Sequence, residues 1–165
     1  MRISPKRKVV SLKYVDLKGD ILDVSLDETG IIYNLIKNKS ENDITLSYLQ
    51  SLDNKEEQFD CCTVFFSLGK LNKVDSKILL DDVGKLIKKN GLLYIWDRIK
   101  VKNEVVRDNI FVKMPDNTEK NFKLMNLNPF YEFDYSRCEE LLKNKYLIEE
   151  SLIWDKVIYI KAKKI

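Results

Sequence analysis

Histidine is absent from this chain of 165 residues, and glycine occurs only five times. Without histidine, the chain cannot build a Ser-His-Asp or Cys-His catalytic arrangement, a histidine metal site or a histidine proton shuttle. Any chemistry must therefore use carboxylates, lysine, tyrosine or cysteine side chains, or the positioning of a substrate.

Long apolar runs and a strong excess of charge are missing as well. No run approaches the roughly 20 residues of a membrane span, and the first residues lack the apolar core of a signal peptide. We therefore expect a cytoplasmic protein with no membrane partner. The net charge of +3 is too small to predict nucleic-acid binding. We interpret the basic clusters at residues 6–8 and 161–164 as solubilising ends of the chain.

The three cysteines, Cys61, Cys62 and Cys138, have no spacing typical of a zinc site. Cys61 and Cys62 are adjacent in an apolar run, so on a strand their side chains would point to opposite faces. We expect buried, reduced thiols and no bound metal.

Apolar patterns typical of strands and helices alternate along the chain, which predicts parallel strands joined by right-handed crossovers. The predicted strands are residues 19–26, 44–49, 59–68, 92–96, 147–153 and 157–162, the last two as an antiparallel edge pair. The first predicted helix is residues 28–39, with Asp27 as its cap. A second helix is capped by Asp75 or Ser76 and stopped by Asn90 and Gly91. A third begins with the capping box at Ser136 and ends near Lys145. Residues 9–17 could form a short helix or an extended lead-in.

Residues 98–135 do not follow this alternation. Residues 110–114 and 121–125 flank a polar turn and predict a hairpin. An aromatic run at residues 130–135 follows, which either packs on the sheet or forms a substrate lid or stacking platform. We predict one domain over residues 1–165, in which residues 98–135 are an insertion that covers the cleft at the carboxyl ends of the strands.

The segment GDILDVSLDETG, residues 19–30, reads as a short strand tipped by an acid, then a loop, then a helix. A nucleotide-type ligand site begins in this way in doubly wound α/β folds. The loop of such a site normally contains glycines, because the backbone must turn tightly and let the ligand come close. Here Ser25, Asp27 and Glu28 take those places.

The order of three segments resembles the class I S-adenosylmethionine-dependent methyltransferases. ILDVSLDETG is similar to the first motif of that family, EEQFDCCTVFFSL to its fourth strand, and LLDDVGKLIKKNGLLYIWD to its next helix and fifth strand. The tail from Tyr135 onward is similar to the last helix and terminal hairpin. The resemblance implies a Rossmann-like α/β fold with a mostly parallel sheet and an antiparallel C-terminal edge hairpin.

The resemblance also implies S-adenosylmethionine as the cofactor. The residues that it places beside the cofactor are Asp23, Ser25, Asp27, Gly30, Phe66, Ser67 and Leu68. On the substrate side it places Trp96, Asp97 and Tyr131, and the Asp97 carboxylate could bind a substrate amine, accept a proton or cap its strand. No catalytic residue is assigned, because methyl transfer from a sulfonium needs alignment more than acid–base catalysis.

The chain departs from this family in two places. Asp23 keeps the acid of the Asp-x-Gly-x-Gly-x-Gly loop, but Ser25, Asp27 and Thr29 replace the glycines and Gly30 comes one residue late. Between its first helix and fourth strand the family has a strand, a helix and another strand, whereas residues 41–57 leave room here for one strand. Residues 44–49 are therefore either the second or the third strand of the family fold.

These departures leave two main functions open. One is an active methyltransferase on a substrate that the sequence does not name. The other is a non-catalytic module on the same fold that binds or assembles with an unidentified protein partner, since fold does not guarantee function. A minor alternative is an RNA-binding protein that uses the basic ends and the aromatic run. The shortened sheet leaves an edge strand that a second copy could cover.

Overall fold

The computed structural model describes residues 4–25, 29–37, 45–48 and 58–165 of the chain. The elements in chain order are β1 Lys6–Ser11, β2 Asp20–Asp23, α1 Ile31–Lys37, β3 Thr45–Tyr48, β4 Phe59–Phe65, α2 Lys73–Leu86, β5 Ile87–Arg98, β6 Val106–Lys113, β7 Glu119–Asn126, α3 Tyr135–Leu142, β8 Tyr146–Trp154 and β9 Val157–Lys164, with a 3₁₀ turn at Leu68–Lys70. Within these ranges no helix has the length and apolarity needed to cross a membrane.

The main sheet has six strands in the order β3-β2-β4-β5-β9-β8. The first four are parallel, and β9 is antiparallel to both β5 and β8. This confirms the predicted mostly parallel sheet with an antiparallel terminal hairpin. β3 pairs with β2 on the side away from β4, so it stands where the second strand of a doubly wound sheet lies. Whether a second copy covers an edge of this sheet stays a prediction.

The two central strands, β4 and β5, are buried on both faces, as their near-continuous apolar sequence predicts. Cys62 and Val64 face a core that includes residues of α2 and α3. Cys61 and Phe65 face a second core that includes residues of α1 and of β1, β6 and β7. The three cysteines are buried free thiols, as expected.

The strands β1, β6 and β7 form a separate three-stranded sheet. β6 and β7 form the predicted antiparallel hairpin, and β1 pairs parallel to β6. The extended alternative for the start of the chain is therefore correct, although the strand begins at Lys6 rather than Val9. Buried side chains of this second sheet, among them Val10, Ile110 and Leu124, pack against the face of the main sheet. Whether residues 98–135 serve as a lid stays a prediction.

Both predicted helix caps that lie within the described residues were wrong by a few positions. α2 is capped by Asn72, whose side chain accepts a hydrogen bond from the Asp75 N–H at 2.8 Å. α3 is capped by Asp134, whose carboxylate accepts from the Arg137 N–H at 2.8 Å. The reason is the same at both sites: the side-chain oxygen of an extended Asn or Asp reaches the N–H three residues ahead. The Asp27 cap predicted for α1 lies outside the described residues.

Asn90 and Gly91 do not stop α2, which ends at Leu86 and passes directly into β5. Asn90 has the expected left-handed backbone, with φ of 66°, but within β5, near the point where its register with β4 shifts. A Cβ on Gly91 would lie 2.5 Å from Cγ2 of Ile87. The pair therefore belongs to an irregularity of the strand, where the backbone folds too tightly for a side chain.

A buried ion pair joins the two sheets. Nε of Arg98, the last residue of β5, donates to Oδ2 of Asp108 in β6 at 2.6 Å, and only 4% and 1% of the two side chains are exposed. Nη1 of the same guanidinium lies 3.4 Å from Oε1 of Glu104. The pair fixes the position of the second sheet on the main sheet, because moving either strand would leave a charge buried without its partner.

We predict that Asp108→Ala lowers the free energy of unfolding by about 3–5 kcal/mol, since it leaves the Arg98 cation buried and unpaired. Urea denaturation of the purified protein measures this loss. The double variant Arg98→Met/Asp108→Leu should recover most of it, because no buried charge remains. Lys77→Ala, which removes an exposed partner of Asp81, is the control and should cost far less. Equal losses for Asp108→Ala and Lys77→Ala would contradict a structural role for the buried pair.

Candidate functional site

The carboxyl ends of β2, β4 and β5 lie at the same edge of the main sheet, because the three strands are parallel neighbours. Doubly wound sheets bind their ligands at this edge. Asp23 is the last residue of β2, Ser67 follows β4, and Asp97 lies near the end of β5. The structure therefore brings Asp23, Ser67 and Asp97 to one edge of the main sheet.

Neighbouring side chains donate hydrogen bonds to the Asp23 carboxylate. It is 7% exposed, and its Oδ1 accepts hydrogen bonds from the hydroxyls of Ser25 at 2.7 Å and Thr63 at 3.0 Å. Burial raises the pKa of Asp23 above its ordinary value, and the two hydroxyl donors oppose that shift. The Asp23 carboxylate thus holds the start of the loop after β2 through Ser25 and joins it to β4 through Thr63.

Gly30 lies at the entrance to α1. Its φ is 68°, a left-handed conformation that glycine adopts without strain. Its carbonyl oxygen accepts hydrogen bonds from the backbone N–H of Asn34 at 2.9 Å and from the side-chain amide of the same residue at 2.8 Å. Gly30 therefore sets the start of the helix. Asp27, also predicted to contact the cofactor, lies outside the described residues.

Phe66, Ser67 and Leu68 are part of the core. Phe66 is 2% exposed and the other two are fully buried. The Phe66 ring lies 4.8 Å from the Phe65 ring and 5.4 Å from the Phe122 ring of β7, centroid to centroid, in edge-to-face contacts. Phe66 also has φ of 50°, which costs a non-glycine residue on the order of 1–2 kcal/mol. Packing against Phe122 holds this strained turn in place.

Asp97 binds the turn that follows β4. It is 3% exposed; its Oδ2 accepts from the Gly69 N–H at 2.9 Å and its Oδ1 from the Arg98 N–H at 2.8 Å. Burial raises the pKa of Asp97 to about 6, and the backbone donors oppose this rise. A Cβ on Gly69 would lie 2.9 Å from Oδ1 of Asp97, so glycine lets the turn approach the carboxylate. The observed role is strand capping.

Trp96 and Tyr131 do not join Asp97. Trp96 is 1% exposed and lies in the core between the two sheets, where it stacks on Tyr94 with ring centroids 6.0 Å apart. Adjacent residues of a strand point to opposite faces, which separates Trp96 from Asp97. Tyr131 is half-buried in the loop after β7, and its carbonyl oxygen accepts from Nζ of Lys100 at 2.6 Å.

The space beside Asp97 is small. The cavity lined there by Gly69, Lys70 and Asn126 measures about 10 Å³, which is room for no more than one water molecule. Larger cavities lie elsewhere: one of about 790 Å³ between α3 and β8, and one of about 310 Å³ at the amino end of β5. Within the described ranges, no three histidine, cysteine, aspartate or glutamate side chains converge on a metal-sized site.

Asn126 contacts the turn at this edge, although no pattern in the sequence predicts it. Its side-chain amide, on β7, donates to the carbonyl oxygen of Gly69 at 2.8 Å. The two residues lie 57 positions apart in the chain. No local pattern signals such a contact, because it exists only once the hairpin has packed on the main sheet.

We predict a pH-dependent stability difference between the wild type and Asp97→Asn. The folded state holds the Asp97 proton more tightly than the unfolded chain, so the stability present below pH 4 is lost as the pH rises through about 6. From pH 4 to 7 the difference in unfolding free energy should move in favour of the variant by on the order of 3 kcal/mol.

Denaturant titrations at several pH values measure this difference. Asp81→Asn is the control: Lys145 and Lys77 lower the pKa of Asp81 to about 2, so its replacement should produce almost none of this change. A constant difference between wild type and Asp97→Asn across the range would show that Asp97 titrates normally.

No protein-family model matches the chain, and no curated protein matches it in sequence. Solved structures match it in fold. An S-adenosylmethionine-dependent methyltransferase from Clostridium acetobutylicum aligns with a TM-score of 0.53 and 12% identity over 88% of this chain and 84% of its own. An amino pentose methyltransferase from Micromonospora echinaspora, solved with S-adenosylmethionine, aligns with a TM-score of 0.56 and 11% identity over 89% of this chain and 84% of its own.

The glycopeptide N-methyltransferase MtfA in complex with sinefungin aligns with a TM-score of 0.51 and 10% identity over 92% of this chain and 85% of its own. At this identity the likeness is one of fold. It agrees with the strand order and the antiparallel terminal hairpin described above. The chain has the Rossmann-like fold of the class I S-adenosylmethionine-dependent methyltransferases.

Proposed function

We propose that the protein is a non-catalytic binding or assembly module on the methyltransferase fold. The observation that carries this proposal is that the protein's own groups fill the carboxyl edge of β4 and β5. Both oxygens of Asp97 accept backbone N–H donors, and the Phe66 ring packs against Phe122. The adjoining cavity of about 10 Å³ is far below the few hundred Å³ typical of small-molecule sites.

The residues at this edge do not fit S-adenosylmethionine in the arrangement that the resemblance implies. An acid at the end of β2 would have to turn toward the ligand, whereas Asp23 is 7% exposed and accepts from Ser25 and Thr63. The glycines that let a ligand approach the loop backbone are replaced, and Ser25 binds the acid instead. A like charge from Asp27 beside the ligand carboxylate would further weaken binding.

Opening the edge for a ligand would be costly. It would separate the Asn126 amide from the Gly69 carbonyl and the Gly69 N–H from Asp97. Each buried donor or acceptor left without a partner costs about 1–3 kcal/mol. Several such losses together are comparable with the total stability of a domain, about 5–15 kcal/mol. A closed edge therefore supports a module that binds through its surface.

An active methyltransferase is the competing function, and the fold is the observation that favours it. Methyl transfer needs alignment of two reactants more than an acid or base. The same fold nevertheless hosts different functions, which are decided by the residues of the site. The filled edge beside Asp97 favours the non-catalytic module.

We predict no change in the thermal unfolding midpoint when millimolar S-adenosylmethionine or S-adenosylhomocysteine is added. A ligand present at a hundred times its dissociation constant would stabilise the fold by about 2.7 kcal/mol, or roughly 5–10 °C for a domain of this size. A methyltransferase of this fold in the same buffer is the positive control. If the wild type shifts and Asp23→Ala does not, the cofactor binds at the predicted edge and the proposal is wrong.

A further inference from the structure

The solvent-facing side of the three-stranded sheet carries an unbalanced set of charges. Along β1, β6 and β7, alternate residues point away from the core, as the alternation of buried and exposed positions shows. We call this surface the basic face. Its exposed cations are Arg7, Arg107, Lys113 and Lys123, and the single carboxylate on the same side is Glu119, opposite Lys113 at one corner.

No ion pair within the described residues involves these four cations. Some cations on other surfaces are paired: Asp81 binds Lys77 of its own helix and Lys145, and Lys88 binds Asp60 at 2.9 Å. The basic face therefore carries a net charge of the same size as that of the whole chain, +3. Charge of one sign that is left without internal partners attracts a polyanion.

An aromatic group and two amides lie among the cations. The guanidinium of Arg7 lies over the ring of Phe111, with Cζ 4.1 Å from the centroid. Asn109 is opposite Lys123, and Asn121 is opposite Phe111. A guanidinium plane and an aromatic ring offer stacking surfaces for unpaired bases. The amides can bond base edges and the 2′-hydroxyl groups of RNA.

The basic face is held rigid from behind. Its inward side chains, among them Ile110, Val112 and Leu124, are buried against the main sheet. The ion pair of Arg98 with Asp108 fixes β6 to β5. A partner that binds a preformed surface spends little free energy on ordering it.

We propose that the basic face binds single-stranded RNA. The cations extend from Arg107 to Lys113 along β6, roughly 20 Å, and across three strands, roughly 10 Å, which suits an extended strand of a few nucleotides. Bases can stack on the Arg7–Phe111 pair only when they are unpaired, which favours a single strand over a duplex. The inference holds whether or not the chain binds S-adenosylmethionine, because the basic face is separate from the edge at Asp97.

This site differs from the nucleic-acid site that the sequence offers as a minor alternative. There, the small net charge argued against nucleic acid, and the minor alternative used the basic ends and the aromatic run. In the structure Lys8 is 5% exposed and pairs with Asp155 at 2.8 Å, and of the aromatic run Phe133 is buried while Phe130 is exposed. Only Arg7 from the first basic cluster faces outward on the basic face.

Fluorescence anisotropy of a labelled 12-nucleotide oligouridine tests the proposal. Four phosphate contacts predict a slope of about −2.8 for the logarithm of affinity against that of salt concentration, or roughly a 50-fold loss between 50 and 200 mM. Arg107→Gln/Lys123→Gln should reduce the slope to about −1.4 and weaken binding about 25-fold at 100 mM salt. The matched control, Lys77→Gln/Lys85→Gln on α2, removes the same charge and should change neither value.

Three further binding measurements distinguish RNA binding by the basic face from other binding modes and partners. Arg7→Lys keeps the charge and removes the guanidinium plane, so affinity should fall with the slope unchanged; an unchanged affinity would overturn the stacking role. Oligothymidine of the same length should bind more weakly, and equal binding would overturn the assignment to RNA. Phosphatidylserine vesicles should not bind, and vesicle binding without RNA binding would make a membrane the partner. Circular dichroism and thermal midpoints confirm that each variant is folded.

Discussion

The two central strands of this fold are apolar on both faces, so the main sheet is stable only when both faces are covered. On one face α2 and α3 supply the cover. On the other, the cover comes from α1 and from the three-stranded sheet of β1, β6 and β7. The three-stranded sheet is therefore a structural part of the core, and the buried ion pair of Arg98 with Asp108 fixes it there.

The same cover reaches the carboxyl ends of the central strands. Phe122 and Asn126 belong to the covering hairpin, and they contact Phe66 and Gly69 in the turn after β4. The hairpin that completes the core thus also fills most of the space beside Asp97.

Much of the fold could be predicted from the sequence, because buried strands have apolar runs and amphipathic helices have a regular stripe. The order β2, α1, β3, β4, α2, β5 follows from such local patterns. The pairing of β1 with β6 could not, since its partners, such as Lys6 and Asp108, are distant in the chain. The candidate site was likewise predictable only in part. Asp23 and Asp97 lie at the predicted edge, but their burial depends on Thr63, Gly69 and Asn126, which tertiary packing brings to them.

The pairing of β1 with β6 also sets an order of events during synthesis. Lys6 pairs with Asp108 and Ser11 with Lys113, so β1 emerges about a hundred residues before the strand that completes its ladder. At roughly 5–20 residues per second, this is a delay of about 5–20 s. During that time Val10 and Leu12, which are fully buried in the finished protein, remain exposed to water and to other chains. The time needed to translate the residues up to the end of β6, more than the intrinsic rate of strand pairing, then determines how long a nascent copy is exposed to aggregation.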